Sequence, residues 1–252
     1  NMMHASQEIL QNLLDKQSID FFFDVLKTGK STSACAVALI LGNIFAYYIL
    51  VNSPKPQDPF DEPAEPTSPT NQQQTLELNE DIPLIAAFIE NLEAIVKFIE
   101  SNPEETIPGQ YGAGAAPFGS ARLKVLELII IAMKAGNAKI YDKLVEANFF
   151  QVLTTVFTRH NWNNILHNQI EKIFTHVIDS GTDDLKSILF TKVNLLDFII
   201  DNTKDQDYTL PGKHARKVRK GYLGHLVRLS NKINESKDPV IQQFTEENAR
   251  WK

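Results

Sequence analysis

Apolar residues recur every three or four positions along most of the chain, a spacing typical of amphipathic helices. In the segment 120–135 the large apolar side chains fall on one stripe, and Gly136 supplies the residue that ends the helix. The same rhythm predicts helices over Met2–Leu14, Ile19–Leu26, Ser31–Val51, Pro83–Glu100, Ser120–Ala135, Lys139–Ala147, Phe149–Arg159, Trp162–Asp179, Asp184–Phe190, Val193–Asn202 and Gly221–Glu235, with a short last helix after Asp238-Pro239. No two segments show the alternation expected of a strand pair.

Tandem helices of this length predict an all-α fold, a HEAT- or armadillo-like helical-repeat solenoid that forms a single domain over residues 1–252. The prediction depends on helix rhythm alone, because no strict sequence repeat is visible. A compact, irregular helical domain is the alternative. The N-terminus lacks the layout of a signal peptide, and we interpret the chain as a fragment of a longer one.

Two segments interrupt the helical pattern. Six of the twelve prolines lie between Pro54 and Pro69, interspersed with acidic residues. Proline blocks helix and like charges repel, so residues 52–80 are predicted to be a disordered, acidic, Pro-rich loop inside the domain. Residues 102–116 are rich in glycine and are predicted to be a second, flexible loop.

One uncharged segment has the length of a membrane-spanning helix. Residues 31–54 contain no charged side chain, and Ala34–Val51 is almost entirely apolar. Polar residues such as Asn43, and the absence of an aromatic belt, favour a buried helix in the middle of a helix stack. A membrane anchor is the alternative, but we expect no membrane partner.

Composition narrows the function classes. The net charge of -6 argues against a general nucleic-acid binder, since such proteins usually carry a basic surplus. A single cysteine, Cys35, allows no disulfide and no cysteine-based zinc site. We therefore expect a reducing compartment, the cytoplasm, with the nucleus left open as a second location.

Catalytic patterns are incomplete, so we predict no enzyme and no cofactor. Gly29-Lys30-Ser31 imitates the end of a phosphate-binding loop, but Asp24 stands where that loop needs its first glycine. The six histidines form no i, i+4 pair of the kind that binds zinc on a helix. No nucleophile is paired with a base and an orienting group.

Two local clusters are candidates for binding. A basic segment runs from Lys213 to Lys220 and is followed by Tyr222 and His225, with no acidic residue between Tyr208 and Asn234. It suits either internal packing or an acidic partner. The second cluster is Trp162-Asn163-Asn164 with His167, for which Asn161 is the predicted helix cap. Polar side chains of this kind order two helices or form a binding surface.

Three ordered segments stand out in the sequence: Phe118-Gly119-Ser120-Ala121-Arg122-Leu123-Lys124-Val125-Leu126-Glu127-Leu128, Trp162-Asn163-Asn164-Ile165-Leu166-His167-Asn168-Gln169-Ile170-Glu171 and Arg219-Lys220-Gly221-Tyr222-Leu223-Gly224-His225-Leu226-Val227-Arg228-Leu229-Ser230-Asn231. These segments resemble the SAPS-domain family of phosphatase-associated regulatory subunits. Three ordered matches are more specific than any one of them.

The resemblance implies a non-catalytic scaffold that binds the catalytic subunit of a protein phosphatase 6-type Ser/Thr phosphatase and helps to select substrates, in some members with an ankyrin-repeat subunit. A generic armadillo-type adaptor for another partner is the alternative. The expected partner-binding residues are Arg122, Lys124, Arg216, Lys217, Arg219, Lys220, Tyr222, His225 and Arg228, with Trp162, Asn163, Asn164 and His167 as the ordering cluster.

Overall fold

A computed structural model describes residues 15–28, 31–52, 83–101, 107–109, 112–204, 207–209 and 217–251. The helices are α1 Lys16–Thr28, α2 Ser31–Asn52, α3 Pro83–Glu100, α4 Ser120–Lys134, α5 Ala138–Glu146, α6 Phe149–Arg159, α7 Asn164–Ser180, α8 Asp183–Thr191, α9 Leu195–Lys204, α10 Leu223–Asn234 and α11 Pro239–Glu247. The strands are β1 Ile107–Gly109, β2 Gly112–Ala115, β3 Asp207–Thr209 and β4 Lys217–Arg219.

Helices build the core, which confirms the all-α class. The contacts between helices follow the order of the chain. α1 packs on α3, and α2 packs on α4. α4 then packs on α7, α7 on α10, and α8 on α11. The side chains between them form one continuous cluster of buried residues, from Ile19 on α1 to Ile241 on α11. Burial of this apolar surface is the main stabilising contribution to the fold.

The strands correct the expectation that no strand pair exists. β1 and β2 form an antiparallel hairpin within residues 102–116, the segment predicted to be a flexible loop. β3 and β4 form a second hairpin, in which Tyr208 lies opposite Val218. Strands of three or four residues are too short to show a period of two in the sequence, which is why the pattern did not predict them.

Side-chain caps define where several helices begin. Asn137 accepts from two backbone N–H groups of α5, and Asp238 does the same for α11. At α7 the cap is Asn163, which accepts from Leu166 N at 3.0 Å. The predicted cap, Asn161, was therefore wrong by two residues, and Trp162 lies in the turn before the helix. Gly136 has φ 72°, the left-handed conformation expected at the end of α4.

The uncharged helix α2 is buried on one side only, which corrects the expectation of burial all round. Its side toward α4 and α1 is closed, with Leu41 and Phe45 fully buried. On its opposite side Leu39 is 51% exposed. The span Thr32–Ile49 is long and apolar enough to cross a membrane, and 39% of it is buried.

Some predictions fall on residues that the structure does not describe. These are the predicted helix Met2–Leu14, residues 53–82 with most of the predicted acidic loop, and Gly29 and Lys30.

Candidate functional site

A row of polar side chains connects helices α4, α7 and α10; we call it the polar seam. On its first side, Gln169 of α7 donates to Glu127 of α4 at 3.2 Å. On its second side, Asn164, Glu171 and Asp179 of α7 pair in that order with His225, Arg228 and Lys232 of α10. Because the partners advance together along both helices, α7 and α10 run in the same direction.

Glu171 lies at the centre of the seam. Its two carboxylate oxygens accept from Arg228 Nε and Nη2, each at 2.7 Å, and Oε2 also lies 2.6 Å from His225 Nδ1. The other imidazole nitrogen of His225 lies 2.7 Å from Asn164 Oδ1. Burial raises the pKa of the Glu171 carboxyl, but the hydrogen bonds from Arg228 and His225 lower this pKa more, so it lies below its ordinary value. Glu171 is therefore ionised, and its carboxylate holds Arg228 and His225 in place.

An aromatic cluster lies beneath the seam. The fully buried His167 ring has its centroid 4.4 Å from that of Phe157 and 5.6 Å from that of Tyr222. His167 Nε2 lies 3.0 Å from the Phe157 carbonyl oxygen. The Tyr222 hydroxyl donates to Asn202 Oδ1 at 3.3 Å. The cluster thus ties α6, α7, α9 and the start of α10 together, and Tyr222 and His167 are core residues.

Gly221 and Trp162 bring two of the sequence clusters into contact. Gly221 N donates to Asn161 O at 3.1 Å. A Cβ at Gly221 would lie 2.9 Å from Asn161 O and 3.1 Å from Trp162 Cε3. This close approach requires glycine, and it leaves Trp162 40% exposed at the edge of the seam. The two motifs therefore form one structural unit.

We expect Gly221→Ala to lower the free energy of unfolding by about 1–3 kcal/mol, because the new methyl group would overlap a backbone oxygen. Gly224→Ala is the matched control, since a Cβ there meets nothing within 4 Å. This second change should be neutral or stabilising by about 0.5 kcal/mol, as alanine favours helix. Urea unfolding followed by circular dichroism measures both, and equal effects would contradict the close approach.

Arg122 has a structural role. Its guanidinium is buried and donates to the carbonyl oxygens of Phe118, at 2.6 Å, of Pro117, at 2.8 Å, and of Ser101. It also lies 4.9 Å from the centroid of the Phe118 ring. This arginine fastens the segment before α4 to the end of α3. In this geometry it does not offer its charge to a partner.

The remaining predicted residues divide between the seam and the second hairpin. Lys124 pairs with Glu127 at 2.5 Å on α4, beside the seam. Lys217 and Arg219 are exposed on β4, and Lys220 Nζ lies 5.9 Å from the Tyr222 ring centroid. Arg216 lies outside the described residues. Among the residues that the structure describes, no three His, Cys, Asp or Glu side chains converge into a group that could hold a metal ion.

A family model described as "SAPS: SIT4 phosphatase-associated protein" matches residues 1–143 and 139–252. The chain belongs to the SAPS family. This SAPS chain is similar to serine/threonine-protein phosphatase 6 regulatory subunit 3 of Gallus gallus, 26% identical over 171 residues that cover 59% of this chain and 19% of that protein. It is also similar to subunit 3-A of Xenopus laevis, 28% identical over 174 residues that cover 61% of this chain and 20% of that protein.

Subunit 1 of Mus musculus is 26% identical over 168 residues, 58% of this chain and 19% of that protein. The SAPS chain thus spans about a fifth of the length of these relatives. No solved structure matches it. The family resemblance noted in the sequence is confirmed.

Sequence reasoning missed Glu171, the central residue of this SAPS site, although it named Asn164, His225 and Arg228. Glu171 stood at the end of a recognised motif, but its partners His225 and Arg228 are more than fifty residues away in the chain. An isolated glutamate on a helix is usually solvated, so the residue type alone did not indicate that Glu171 pairs with another helix. The one available sign was that Glu171 shares a helix face with Asn164 and His167, which were noticed.

Proposed function

We propose that this chain is part of a non-catalytic regulatory scaffold that binds the catalytic subunit of a protein phosphatase 6- or SIT4-type Ser/Thr phosphatase. The family description names an association with the SIT4 phosphatase, and the relatives are named as regulatory subunits of phosphatase 6. The observation that carries the proposal is the polar seam. It joins three helices through side chains that contacts within the chain already hold in position.

Exposed apolar side chains flank the seam. Ile165, one position after Asn164 at the start of α7, is 61% exposed, and Trp162 lies in the turn just before it. Large apolar side chains held on an ordered surface are typical anchors of protein interfaces. Arg219 and Lys217, on the hairpin that leads into Gly221, add positive charge at the same edge. We infer that the partner presents an apolar contact with acidic residues around it.

The packing order supports a helical-repeat arrangement for this scaffold. α2 packs on α4, α4 on α7 and α7 on α10, and the seam shows that α7 and α10 run in the same direction. Parallel helices in series are expected of one layer of a HEAT- or armadillo-like solenoid. Such a layer gives a long surface suited to a protein partner. A generic helical-repeat adaptor for another partner is the rival function.

We expect Ile165→Asp with Arg219→Glu to weaken capture of a purified phosphatase 6 catalytic subunit by at least tenfold, because the pair removes an apolar anchor and reverses a charge. Biolayer interferometry at two salt concentrations measures this. The control, Lys192→Glu, reverses an exposed charge at the end of α8 and should leave the affinity within twofold.

Two results would overturn parts of this proposal. If the unmodified chain does not bind the catalytic subunit at micromolar concentration, the scaffold function of this chain is wrong. If the chain binds and the Ile165 and Arg219 substitutions have no effect, the proposed binding face is wrong although the proposed function stands.

We further propose a cytoplasmic or nuclear site of action, and an ankyrin-repeat protein as a third subunit. Both are tested by co-purification from fractionated cells.

A further inference from the structure

A groove of about 600 Å³ lies between α3 and the corner where α5 meets α6; we call it the α3–α6 groove. Its described lining residues belong to α3, to α5, to α6 or to the turn between the last two, and not to the helices of the polar seam. The least exposed part of the lining is apolar, with Val96 and Val152 buried and Ile89 and Ala147 half-buried. The groove is therefore a second surface, separate from the face proposed for the phosphatase, and its apolar base suits a side chain that enters from outside.

Carboxylates outnumber cations along the α3–α6 groove. Its charged lining residues are Glu90, Glu93, Glu100, Glu146, Lys97 and Lys143. The two ammonium groups already have partners within the groove. Lys97 Nζ lies 2.6 Å from Glu93 Oε1, and Lys143 Nζ lies 2.5 Å from Glu146 Oε2. Two carboxylates on α3 are left over, so the groove has a surplus of negative charge that favours a cationic partner.

The surplus lies on Glu90 and Glu100, which are both exposed. Within the part of the chain that the structure describes, neither carboxylate takes part in an ion pair or a hydrogen bond. Arg159 donates to the backbone oxygen of Glu100 at 2.8 Å, which places a positive charge at that end of the groove. The end at Glu90 is therefore the more acidic one. A cationic side chain that binds there gains a partner without breaking an existing ion pair.

The α6 wall of the groove offers neutral hydrogen-bonding groups. Asn148, Gln151 and Thr155 are three and four positions apart, so they lie along one side of α6. Among the hydrogen bonds of the described residues, none involves the side-chain amide of Asn148 or of Gln151. A side-chain amide carries both donors and an acceptor. These are the groups that the backbone of an extended peptide needs.

We propose that the α3–α6 groove binds an extended, basic peptide segment of another protein, in which lysine or arginine alternates with apolar residues. Side chains of an extended chain alternate between two sides. The apolar side chains fill the base, the cationic ones reach Glu90 and Glu100 at the rim, and the backbone binds the amides on α6. Glu90 and Glu100 are ten positions apart on one helix, a distance of about 15 Å. An extended segment of about five residues spans that distance.

Synthetic peptides test this proposal in the full chain by fluorescence anisotropy. A rhodamine-labelled octapeptide of alternating arginine and leucine should bind saturably. Its counterpart with glutamate in place of arginine should bind at least tenfold more weakly. Glu90→Lys with Glu100→Lys should weaken binding of the arginine peptide by at least tenfold. The matched control, Glu235→Lys with Glu246→Lys, changes the net charge equally at exposed positions outside the groove and should leave the affinity within twofold.

A change on the other wall tests the hydrogen bonds separately from the charge. Gln151→Ala removes one side-chain amide from the α6 wall and should weaken binding of the arginine peptide by about threefold. Circular dichroism shows whether each variant is folded.

Four results would overturn the proposal. Absence of saturable binding of the arginine peptide at millimolar concentration would show that the groove is not a peptide site. Equal weakening by the two double variants would assign the binding to the overall charge of the chain. Tighter binding of the glutamate peptide would assign the groove to an acidic partner of its lysines. An unchanged affinity of the Gln151→Ala variant would show that the peptide backbone does not bind the α6 wall.

Discussion

Arg122→Ala is expected to lower the free energy of unfolding by about 2 kcal/mol or more. The change removes the donor that the carbonyl oxygens of Phe118, Pro117 and Ser101 share; Phe118 is buried, whereas Pro117 and Ser101 are exposed. A buried acceptor that loses its partner costs about 1–3 kcal/mol. The Phe118 ring also loses the cation above it. Urea unfolding followed by circular dichroism and by tryptophan fluorescence measures the loss.

Lys124→Ala is the matched control, because Lys124 is two residues away on the same helix and makes only a partly exposed ion pair with Glu127. It should change stability by less than about 0.5 kcal/mol. Arg122→Lys should restore only part of the loss, since an ammonium group cannot reach three separated carbonyl oxygens as the guanidinium does. Equal stability of the Arg122→Ala and Lys124→Ala variants would show that the guanidinium does not hold the segment before α4.

Acidification from pH 7 to pH 5 is expected to lower the free energy of unfolding by about 2 kcal/mol for each of two histidines. Burial lowers the pKa of both His160 and His167 to about 4. An unfolded histidine binds its proton near pH 6.5, so between these values the unfolded state holds more protons than the folded state. Stability therefore decreases as the pH falls through this window. The lowered pKa of His176 acts in the same direction.

The lowered pKa of Glu171 adds a further decrease in the free energy of unfolding at more acidic pH. Its contribution is complete above the ordinary carboxyl pKa and disappears as the pH falls through the lowered value. Isothermal urea titrations at half-unit steps from pH 7.5 to about pH 3 give the slope and cover the range in which Glu171 takes up its proton. His167→Gln keeps a neutral polar side chain and should reduce the slope between pH 6.5 and pH 5 by roughly half. A flat profile over that range in the unmodified chain would contradict the burial of these imidazoles in neutral form.

Local pattern was a good guide to the helices of this protein. The apolar stripe of α4 and its end at Gly136 could be predicted because a helix depends on residues three and four positions apart. The helix that follows Trp162 was predicted with its start two residues early, since Asn161 and Asn163 are equally suitable caps by type. The two hairpins were missed because their stability depends on pairing across a loop.

The candidate site shows what a local sequence pattern does not predict. Tyr222, Trp162 and the segment Phe118–Leu128 were recognised as unusual residues, and this led to the family. Their positions were assigned less well: Arg122 was expected at a partner surface and is buried against carbonyl oxygens, and Tyr222 and His167 are in the core. Charge and aromatic character are visible in a sequence, but burial depends on which helices meet.

The sequence by itself determined the helical class, the family and the absence of charge along α2, because each of these is a property of neighbouring residues. Only the tertiary structure decided that Glu171 joins His225 and Arg228, that Gly221 lies against Asn161, and that α2 has one open side. The two named contacts join residues that are 54 to 60 positions apart, and the open side of α2 depends on which helices pack against it. Packing of one helix on another selects them, and no local rule specifies that choice.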